Sequence, residues 1–203
     1  NGLSIISHVV KIAESANIGE VFVAAEDQEI IDDVKQNGGQ AILTSKNPKT
    51  GTDRIHEALK ILRKSNVELV MNLQGDEPLM DIEDIRNLHN LMIKSKSALG
   101  TLGSNILNKE LYEKQNMVKV ITKESLEKSK FTEALNFVRK SPITSKNIYH
   151  HLGIYCYQLQ SLEMFVSFNQ STTEVNFRLE QLRALDNNMK INFALAKTSP
   201  IGV

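Results

Sequence analysis

The chain has 203 residues, of which 41% are hydrophobic and 24% charged, a composition typical of a soluble globular protein with a substantial core. Lysine plus arginine and aspartate plus glutamate number 24 each, so no bulk charge favours nucleic acid or a membrane surface as partner. The single Cys156 excludes an intramolecular disulfide. Because no apolar run approaches the ~20 residues of a membrane span and no signal peptide is evident, we expect a cytoplasmic monomer or small oligomer.

The first half of the sequence alternates helical and strand patterns. Predicted helices span residues 5–16, 27–36, 52–62 and 81–94, and predicted strands span residues 20–25, 40–43 and 67–73. Gly38-Gly39 is expected to end the second helix, and Thr52 is expected to be the N-cap of the third. This alternation predicts an α/β fold with a Rossmann-like, doubly wound and mostly parallel sheet, with helices on both faces.

The second half has a different pattern. Strands are predicted over residues 118–122, 133–138, 148–157 and 190–196, with no long helix among the first three, so we expect antiparallel additions to the sheet. A short helix is predicted over 161–169. Ser171-Thr172-Thr173-Glu174 is a capping-box pattern that opens a helix to Asn187, with Val175, Leu179, Leu182 and Leu185 facing the core. No linker is apparent, so residues 1–203 are interpreted as one domain.

The strand at 67–73 is apolar enough to be covered on both faces, and it ends in Gln74-Gly75-Asp76-Glu77-Pro78. Asp76 and Glu77 therefore follow the carboxyl end of a buried strand, where open α/β sheets bind ligands. Carboxylates there suit Mg²⁺, which usually accompanies phosphates. The alternative is that the acidic pair only precedes the next helix.

Three other stretches carry candidate chemistry. Thr50 to Arg54 places hydroxyls and a guanidinium at a helix start, which suits a base edge or an anion, although a plain capped helix would look the same. In the strand after Tyr149, His151 and Tyr155 share one face, and Gly153 leaves a gap between them that suits a polyhydroxy ligand; a half-buried sheet is the alternative. Glu180 and Arg183 fit an ordinary i, i+3 surface pair.

Five stretches in this order resemble the 3-deoxy-manno-octulosonate (Kdo) cytidylyltransferases, also called CMP-Kdo synthetases. They are residues 50–54 (Thr-Gly-Thr-Asp-Arg), 72–78 (Asn-Leu-Gln-Gly-Asp-Glu-Pro), 137–142 (Phe-Val-Arg-Lys-Ser-Pro), 151–155 (His-Leu-Gly-Ile-Tyr) and 179–183 (Leu-Glu-Gln-Leu-Arg). The resemblance implies a fold of the nucleotide-diphospho-sugar transferase type. It also implies transfer of the cytidylyl group of CTP to Kdo with release of pyrophosphate, for lipopolysaccharide synthesis, by a homodimer that associates through strands of the second half.

The same resemblance implies the site residues. Asp76 would bind Mg²⁺ and, with Arg139, would be catalytic. Arg54 and its loop would face the cytosine, and Arg139 and His151 would meet the carboxylate of the sugar acid. The substrate-binding set that the resemblance implies is Thr52, Arg54, Gln74, His151, Tyr155, Glu180 and Gln181.

The sequence also departs from the family pattern. The family's phosphate loop, Ala-Arg-x-x-Ser-x-Arg-Leu-Pro-Gly-Lys-Pro, belongs upstream of Asn1, and the family's second metal aspartate would follow Val203. Phe137-Val138-Arg139 replaces the usual Phe-Ser-Arg. We therefore expect residues 1–203 alone to lack activity. Two alternatives are an N-acylneuraminate cytidylyltransferase and a non-catalytic truncated paralogue that only dimerises or binds sugar.

Overall fold

The computed structural model describes residues 2–64, 66–141 and 147–197, without the side chain of Lys109. The helices are α1 (Ile5–Ala16), α2 (Gln28–Gln36), α3 (Gly51–Leu62), α4 (Ile82–Ser95), α5 (Leu159–Ser167), α6 (Thr172–Phe177) and α7 (Leu182–Asp186), and a 3-10 turn spans Lys109–Tyr112. The strands are β1 (Val23–Ala25), β2 (Ala41–Leu43), β3 (Leu69–Leu73), β4 (Leu99–Ser104), β5 (Lys119–Thr122), β6 (Thr132–Val138), β7 (Ile148–Gln158) and β8 (Ile191–Leu195).

The strands form a six-stranded sheet in the order β3-β7-β4-β8-β6-β5 and a separate two-stranded sheet of β1 and β2. The start of β7 also pairs with β5, so the second half of the large sheet curls back on itself. The α/β class and the antiparallel additions in the second half are confirmed.

The expected mostly parallel sheet is instead mixed, because β7 and β6 run opposite to the other four strands of the six-stranded sheet. β1 with β2 and β4 with β8 are parallel pairs, whereas β7 runs antiparallel between β3 and β4. Because β7 separates them, β3 and β4 have the same direction without being neighbours. The sequence analysis did not predict β4, and the strand pattern of the first half contained no information that a later strand would enter between β3 and β4.

Helices cover the sheet on both faces. One apolar cluster lies between the sheet and α3, α5 and α7, and includes Tyr157, Phe165 and Phe193. A second lies between the sheet and the helices α1 and α4, and includes Leu88 and Met92. Among the described residues, no helix combines the length and apolarity needed to cross a bilayer.

A cavity of about 710 Å³ separates β1 from β3. Apolar side chains of α1 and α3 line it together with the two strands, and polar residues line it at Glu20, Lys64 and Glu68 as well as at Arg54 and Gln74. Gln74 directly follows β3, so the cavity extends to the edge of the sheet where the sequence analysis placed a ligand.

The helix predicted over residues 171–187 is broken in two. The capping box at its start is confirmed, with reciprocal hydrogen bonds between Ser171 and Glu174. Arg178 then adopts a left-handed conformation with φ of 53°, which ends α6 and turns the chain before α7. As a result Val175 is 57% exposed, contrary to the prediction that it faces the core, whereas Leu179 and Leu182 are buried as predicted.

Candidate active site

The start of α3 is held by its cap and by a distant carboxylate. Thr50, rather than the predicted Thr52, is the N-cap, and its hydroxyl accepts from the Asp53 amide. Thr52 is instead buried in the first turn. Its amide donates to Glu180 Oε1 at 3.1 Å, and the Thr50 hydroxyl donates to the same oxygen at 2.8 Å. The predicted nucleotide segment and the predicted sugar segment are therefore in direct contact.

Glu180 is an acceptor in a mostly desolvated setting. Burial raises the pKa of its carboxyl, while the hydrogen bonds from Thr52 and Thr50 and the charge of Arg183 oppose that rise. The pKa of Tyr155 is also raised, by burial and then by the phenol of Tyr157 and the carboxylate of Glu180. The hydroxyl oxygens of Tyr157 and Thr52 lie 3.4 Å apart. Glu180, Thr52, Tyr155 and Tyr157 thus form one polar cluster at the start of α3.

Arg54 lies beside this cluster but has its own anchors. Its Nη1 donates to Thr44 Oγ1 at 2.7 Å and to the Ser45 carbonyl at 3.1 Å, and its Nη2 pairs with Glu26. These partners come from the residues just beyond β1 and β2. Arg54 therefore stands at the carboxyl ends of the two parallel strands and at the rim of the cavity.

The turn after β3 presents two neighbouring carboxylates. Asp76 is exposed, and Glu77 is half-buried. Burial raises the pKa of Glu77 and the nearby charge of Asp76 adds to the rise, while a hydrogen bond from the Gly153 backbone opposes it. Within the described ranges, no three His, Cys, Asp or Glu side chains converge on a point that could hold a metal ion. The neighbouring carboxylates of Asp76 and Glu77 nevertheless fit Mg²⁺, which commonly takes one or two protein carboxylates and completes its shell with water and phosphate oxygens.

His151 is buried as a neutral imidazole. Burial lowers its pKa to about 3, with a smaller contribution from His150. The Thr101 hydroxyl donates to the Ile154 carbonyl at 2.6 Å, so that hydroxyl can only accept from His151 Nε2, 3.0 Å away. This fixes the proton on Nε2 and makes Nδ1 the acceptor of the ring. The expectation that His151 offers a cation to a carboxylate is therefore wrong, because the ring is uncharged and its second nitrogen suits a hydroxyl donor.

The gap expected at Gly153 is filled. The rings of His151 and Tyr155 lie close together, with centroids 5.3 Å apart. A Cβ built on Gly153 would lie 2.8 Å from Gln74 Cγ, so the side chain of Gln74 occupies the space over the glycine. Gly153 thus permits close packing of β7 against the end of β3, rather than leaving a seat for a ligand.

Two predicted residues lie in less accessible settings than expected. Arg139 donates to the carbonyls of Gln115, Phe177 and Arg178 at 3.1, 2.8 and 2.9 Å, which ties the end of α6 to the loop before β5. Gln181 is 4% exposed at the start of α7. Pro142 of the predicted 137–142 motif and the terminal residues 200–203 lie outside the described residues.

The sequence analysis missed the buried charges behind this cluster. Arg183 is 1% exposed and contacts Glu174 and Asp53, so the expected surface pair of Glu180 and Arg183 is wrong. The capping-box pattern identified Glu174, and the structure confirms that cap. Its ion pair with Arg183 was not predictable, because the break in the helix is what brings the two residues together. Asp53 was part of the Thr50–Arg54 stretch without a role of its own.

The family model described as Cytidylyltransferase matches residues 1–191. The chain belongs to the cytidylyltransferase family. A 3-deoxy-manno-octulosonate cytidylyltransferase of Bartonella tribocorum is 38% identical over 205 aligned residues, covering 100% of this chain and 84% of the relative. One of Paramagnetospirillum magneticum is 36% identical, with 100% and 83% covered.

Solved structures agree with this family assignment. The structure described as CMP:2-keto-3-deoxy-manno-octonic acid synthetase complexed with CTP superposes with a TM-score of 0.84 at 29% identity, covering 98% of this chain and 81% of that one. A 4-diphosphocytidyl-2C-methyl-D-erythritol synthase from Anaerococcus prevotii has a TM-score of 0.61 at 16% identity, which shows the fold alone. The cytidylyltransferase has the nucleotide-diphospho-sugar transferase fold that the sequence resemblance implied.

Proposed function

We propose that this cytidylyltransferase transfers the cytidylyl group of CTP to Kdo, giving CMP-Kdo and pyrophosphate. The observation that carries the proposal is the contact of Glu180 with Thr50 and Thr52, at 2.8 and 3.1 Å. It joins the segment expected to face the nucleotide to the segment expected to bind the sugar acid, as a two-substrate transfer requires. The names of the relatives in two organisms and of the superposed CTP complex support the same substrates.

The reaction forms one bond and breaks one. The anomeric hydroxyl oxygen of Kdo attacks the α-phosphorus of CTP, the bond from that phosphorus to the bridging oxygen breaks, pyrophosphate leaves, and the hydroxyl proton is released. Such transfers depend on in-line positioning and on stabilisation of charge more than on covalent help from the protein. The side chains of this chain therefore act by binding and orienting the two substrates.

The proposed roles follow from the contacts. Arg54, fixed by Thr44 and Glu26, presents a guanidinium at the cavity rim for the nucleotide. Glu180 and the acceptor nitrogen of His151 suit sugar hydroxyls, because both accept hydrogen bonds. Arg139 can meet the sugar carboxylate only by exchanging one of its three carbonyl partners. Its role and those of Gln74, Tyr155 and Gln181 stay predictions.

Mg²⁺ would be held by Asp76, with Glu77 beside it, and would supply positive charge to the phosphate oxygens of CTP. A place in lipopolysaccharide synthesis, a homodimeric assembly and a cytoplasmic location stay predictions.

The proposal is tested by product analysis. The full-length natural protein, rather than residues 1–203 alone, should release pyrophosphate and CMP-Kdo in equal amounts from CTP and Kdo with Mg²⁺, as measured by phosphorus NMR. Glu180→Ala should reduce the efficiency of Kdo use by about tenfold to a hundredfold, because a hydrogen bond to a charged acceptor is lost. Glu127→Ala, at an exposed glutamate in a turn, is the matched control and should leave the rate unchanged. Absence of CMP-Kdo with the full-length natural protein would refute the proposal.

A further inference from the structure

Arg183 is a fully buried cation with two carboxylate partners. Its Nε and Nη2 donate to the two oxygens of Glu174 at 2.9 and 2.6 Å, and its Nη1 donates to Asp53 Oδ1 at 2.9 Å. The guanidinium also lies over the ring of Phe165, 4.6 Å from its centroid. Burial alone would lower the pKa of Arg183, but hydrogen bonds to Glu174 and Asp53 outweigh burial and raise it. The side chain is therefore charged, and its geometry is fixed on every side.

These contacts join three separate segments. Glu174 is in α6, Arg183 is in α7, and Asp53 is in the first turn of α3. Arg183 Nη2 also lies 3.4 Å from the Thr50 hydroxyl, the same group that donates to Glu180. Arg183 thus contacts Thr50, one of the two residues that hold the Glu180 carboxylate against α3, and Asp53, whose Oδ2 lies 2.8 Å from the same Thr50 hydroxyl.

The side chain of the neighbouring Arg54 has other anchors. It is held by Thr44, Ser45 and Glu26, none of which contacts Arg183. The anchors of the predicted nucleotide side and of the predicted sugar side are therefore different groups, even though Asp53 and Arg54 are adjacent in α3.

We propose that Arg183 is a positioning residue for the sugar acid: it locks Thr50 and Asp53 against α7 so that Glu180 is held at the geometry in which it accepts hydroxyl hydrogen bonds. The inference rests on the proposed function, because Kdo is the ligand that Glu180 would meet. Arginine is required because its planar fork engages Glu174 through two bonds and still reaches Asp53, which a lysine ammonium cannot do.

The test must separate positioning from stability. Removing Arg183 alone would leave the Glu174 carboxylate buried without a cation, although it would keep hydrogen bonds from the Ser171 amide and Gln170, and a large loss of stability would follow. Replacing both, as Arg183→Met with Glu174→Met, removes the buried pair together, and such exchanges for apolar residues often preserve stability. If Arg183 acts only on stability, this folded double variant should have normal kinetics.

We expect the double variant to fold and to raise the KM for Kdo by about tenfold to a hundredfold, with the KM for CTP unchanged. Arg86→Met is the control. Arg86 likewise ties segments together, through the Ala16 and Ser15 carbonyls and Glu83, but makes no contact with α3 or α7. That variant should leave both KM values unchanged. Steady-state pyrophosphate release with one substrate saturating gives the two constants separately.

A folded double variant with an unchanged KM for Kdo, or with equal losses for Kdo and CTP, would overturn the positioning role. If the double variant does not fold, the same measurements are made on Arg183→Lys, which keeps the positive charge but cannot bind Glu174 through two parallel hydrogen bonds. We expect Arg183→Lys to raise the KM for Kdo and to leave the KM for CTP unchanged. If the full-length wild-type protein does not use Kdo, the proposed function is refuted. If the wild type uses Kdo and the folded variants have normal kinetics, the positioning role of Arg183 alone is refuted.

Discussion

Arg183 and Asp53 are 130 positions apart in the sequence, yet Arg183 Nη1 and Asp53 Oδ1 lie 2.9 Å apart. The contact brings the helix that follows the predicted nucleotide loop against the segment that carries Glu180. It shows how two motifs at distant points of the chain become one site, through an ion pair in which Arg183 is almost completely buried and Asp53 is partly exposed.

The first prediction concerns the energy of this buried charge. Glu174→Ala should lower the free energy of unfolding by about 3–5 kcal/mol, because the variant leaves the buried Arg183 guanidinium without its bidentate partner. Glu20→Ala, which removes the partner of Lys64 in an exposed pair, should cost less than about 1 kcal/mol. Urea unfolding of the two variants gives the comparison, and equal losses would contradict it.

The second prediction concerns pH. The pKa of His151 is lowered by burial from 6.5 to about 3, so the unfolded chain binds a proton here between these values and the folded chain does not. The contribution of His151 to stability is therefore complete above pH 6.5 and declines as the pH falls toward 3, by up to about 1.4 kcal/mol per pH unit.

His151→Gln isolates this contribution, because glutamine keeps an amide donor for Thr101 and does not titrate. Unfolding free energies measured across the window should decline less steeply for the variant than for the wild type. Parallel curves would show that His151 does not titrate as its burial indicates.

The third prediction concerns the packing of Gly153. An alanine methyl would approach Gln74 Cγ to 2.8 Å, so Gly153→Ala should displace the Gln74 side chain from the end of β3. We expect the efficiency of substrate use to fall by roughly tenfold to a hundredfold while the fold persists. Gly19→Ala is the control, because a Cβ there meets nothing within 4 Å. Normal steady-state kinetics in Gly153→Ala would mean that Gln74 has no role in binding.

The fourth prediction concerns Mg²⁺. Asp76→Asn keeps the size of the side chain and removes its charge, so turnover should fall by at least about tenfold and should need more Mg²⁺ to reach half its maximum. Asp81→Asn is the matched control, because Asp81 caps α4 through the Glu83 amide and asparagine caps helices equally well. Identical Mg²⁺ titrations for Asp76→Asn and wild type would make Asp76 a simple turn residue.

Local signals in the sequence predicted most of the fold. Apolar periodicity gave α1 and seven of the eight described strands to within three residues, because each pattern is contained in its own segment, but β4 was not predicted. The break at Arg178 was not predictable in this way, since arginine rarely adopts φ of 53° and the apolar period continues past it. The same limit applies to Arg183: a surface pair with Glu180 is the reasonable local interpretation, and only Asp53 and Glu174 together make its burial favourable.

Most site residues were predicted from the family resemblance rather than from local sequence patterns. Asp76 and Arg54 do lie at the carboxyl ends of strands, as strand patterns and turn residues indicated. The neutral state of His151 depends on Thr101 and Ile154, which reach it through the pairing of β4 with β7 and carry no signal in their own segments. Filling of the Gly153 space by Gln74 likewise depends on the pairing of β3 with β7.

The central claim, that this cytidylyltransferase uses Kdo, is tested most directly by pyrophosphate release from the natural protein with CTP and Mg²⁺ saturating. The varied substrate is Kdo in one series and N-acetylneuraminate in the other, and kcat/KM is compared between the two. The account predicts saturable pyrophosphate release with Kdo and an efficiency with N-acetylneuraminate lower by at least about a hundredfold, a discrimination of roughly 3 kcal/mol. Equal efficiency with the two acids, or preference for N-acetylneuraminate, would contradict it.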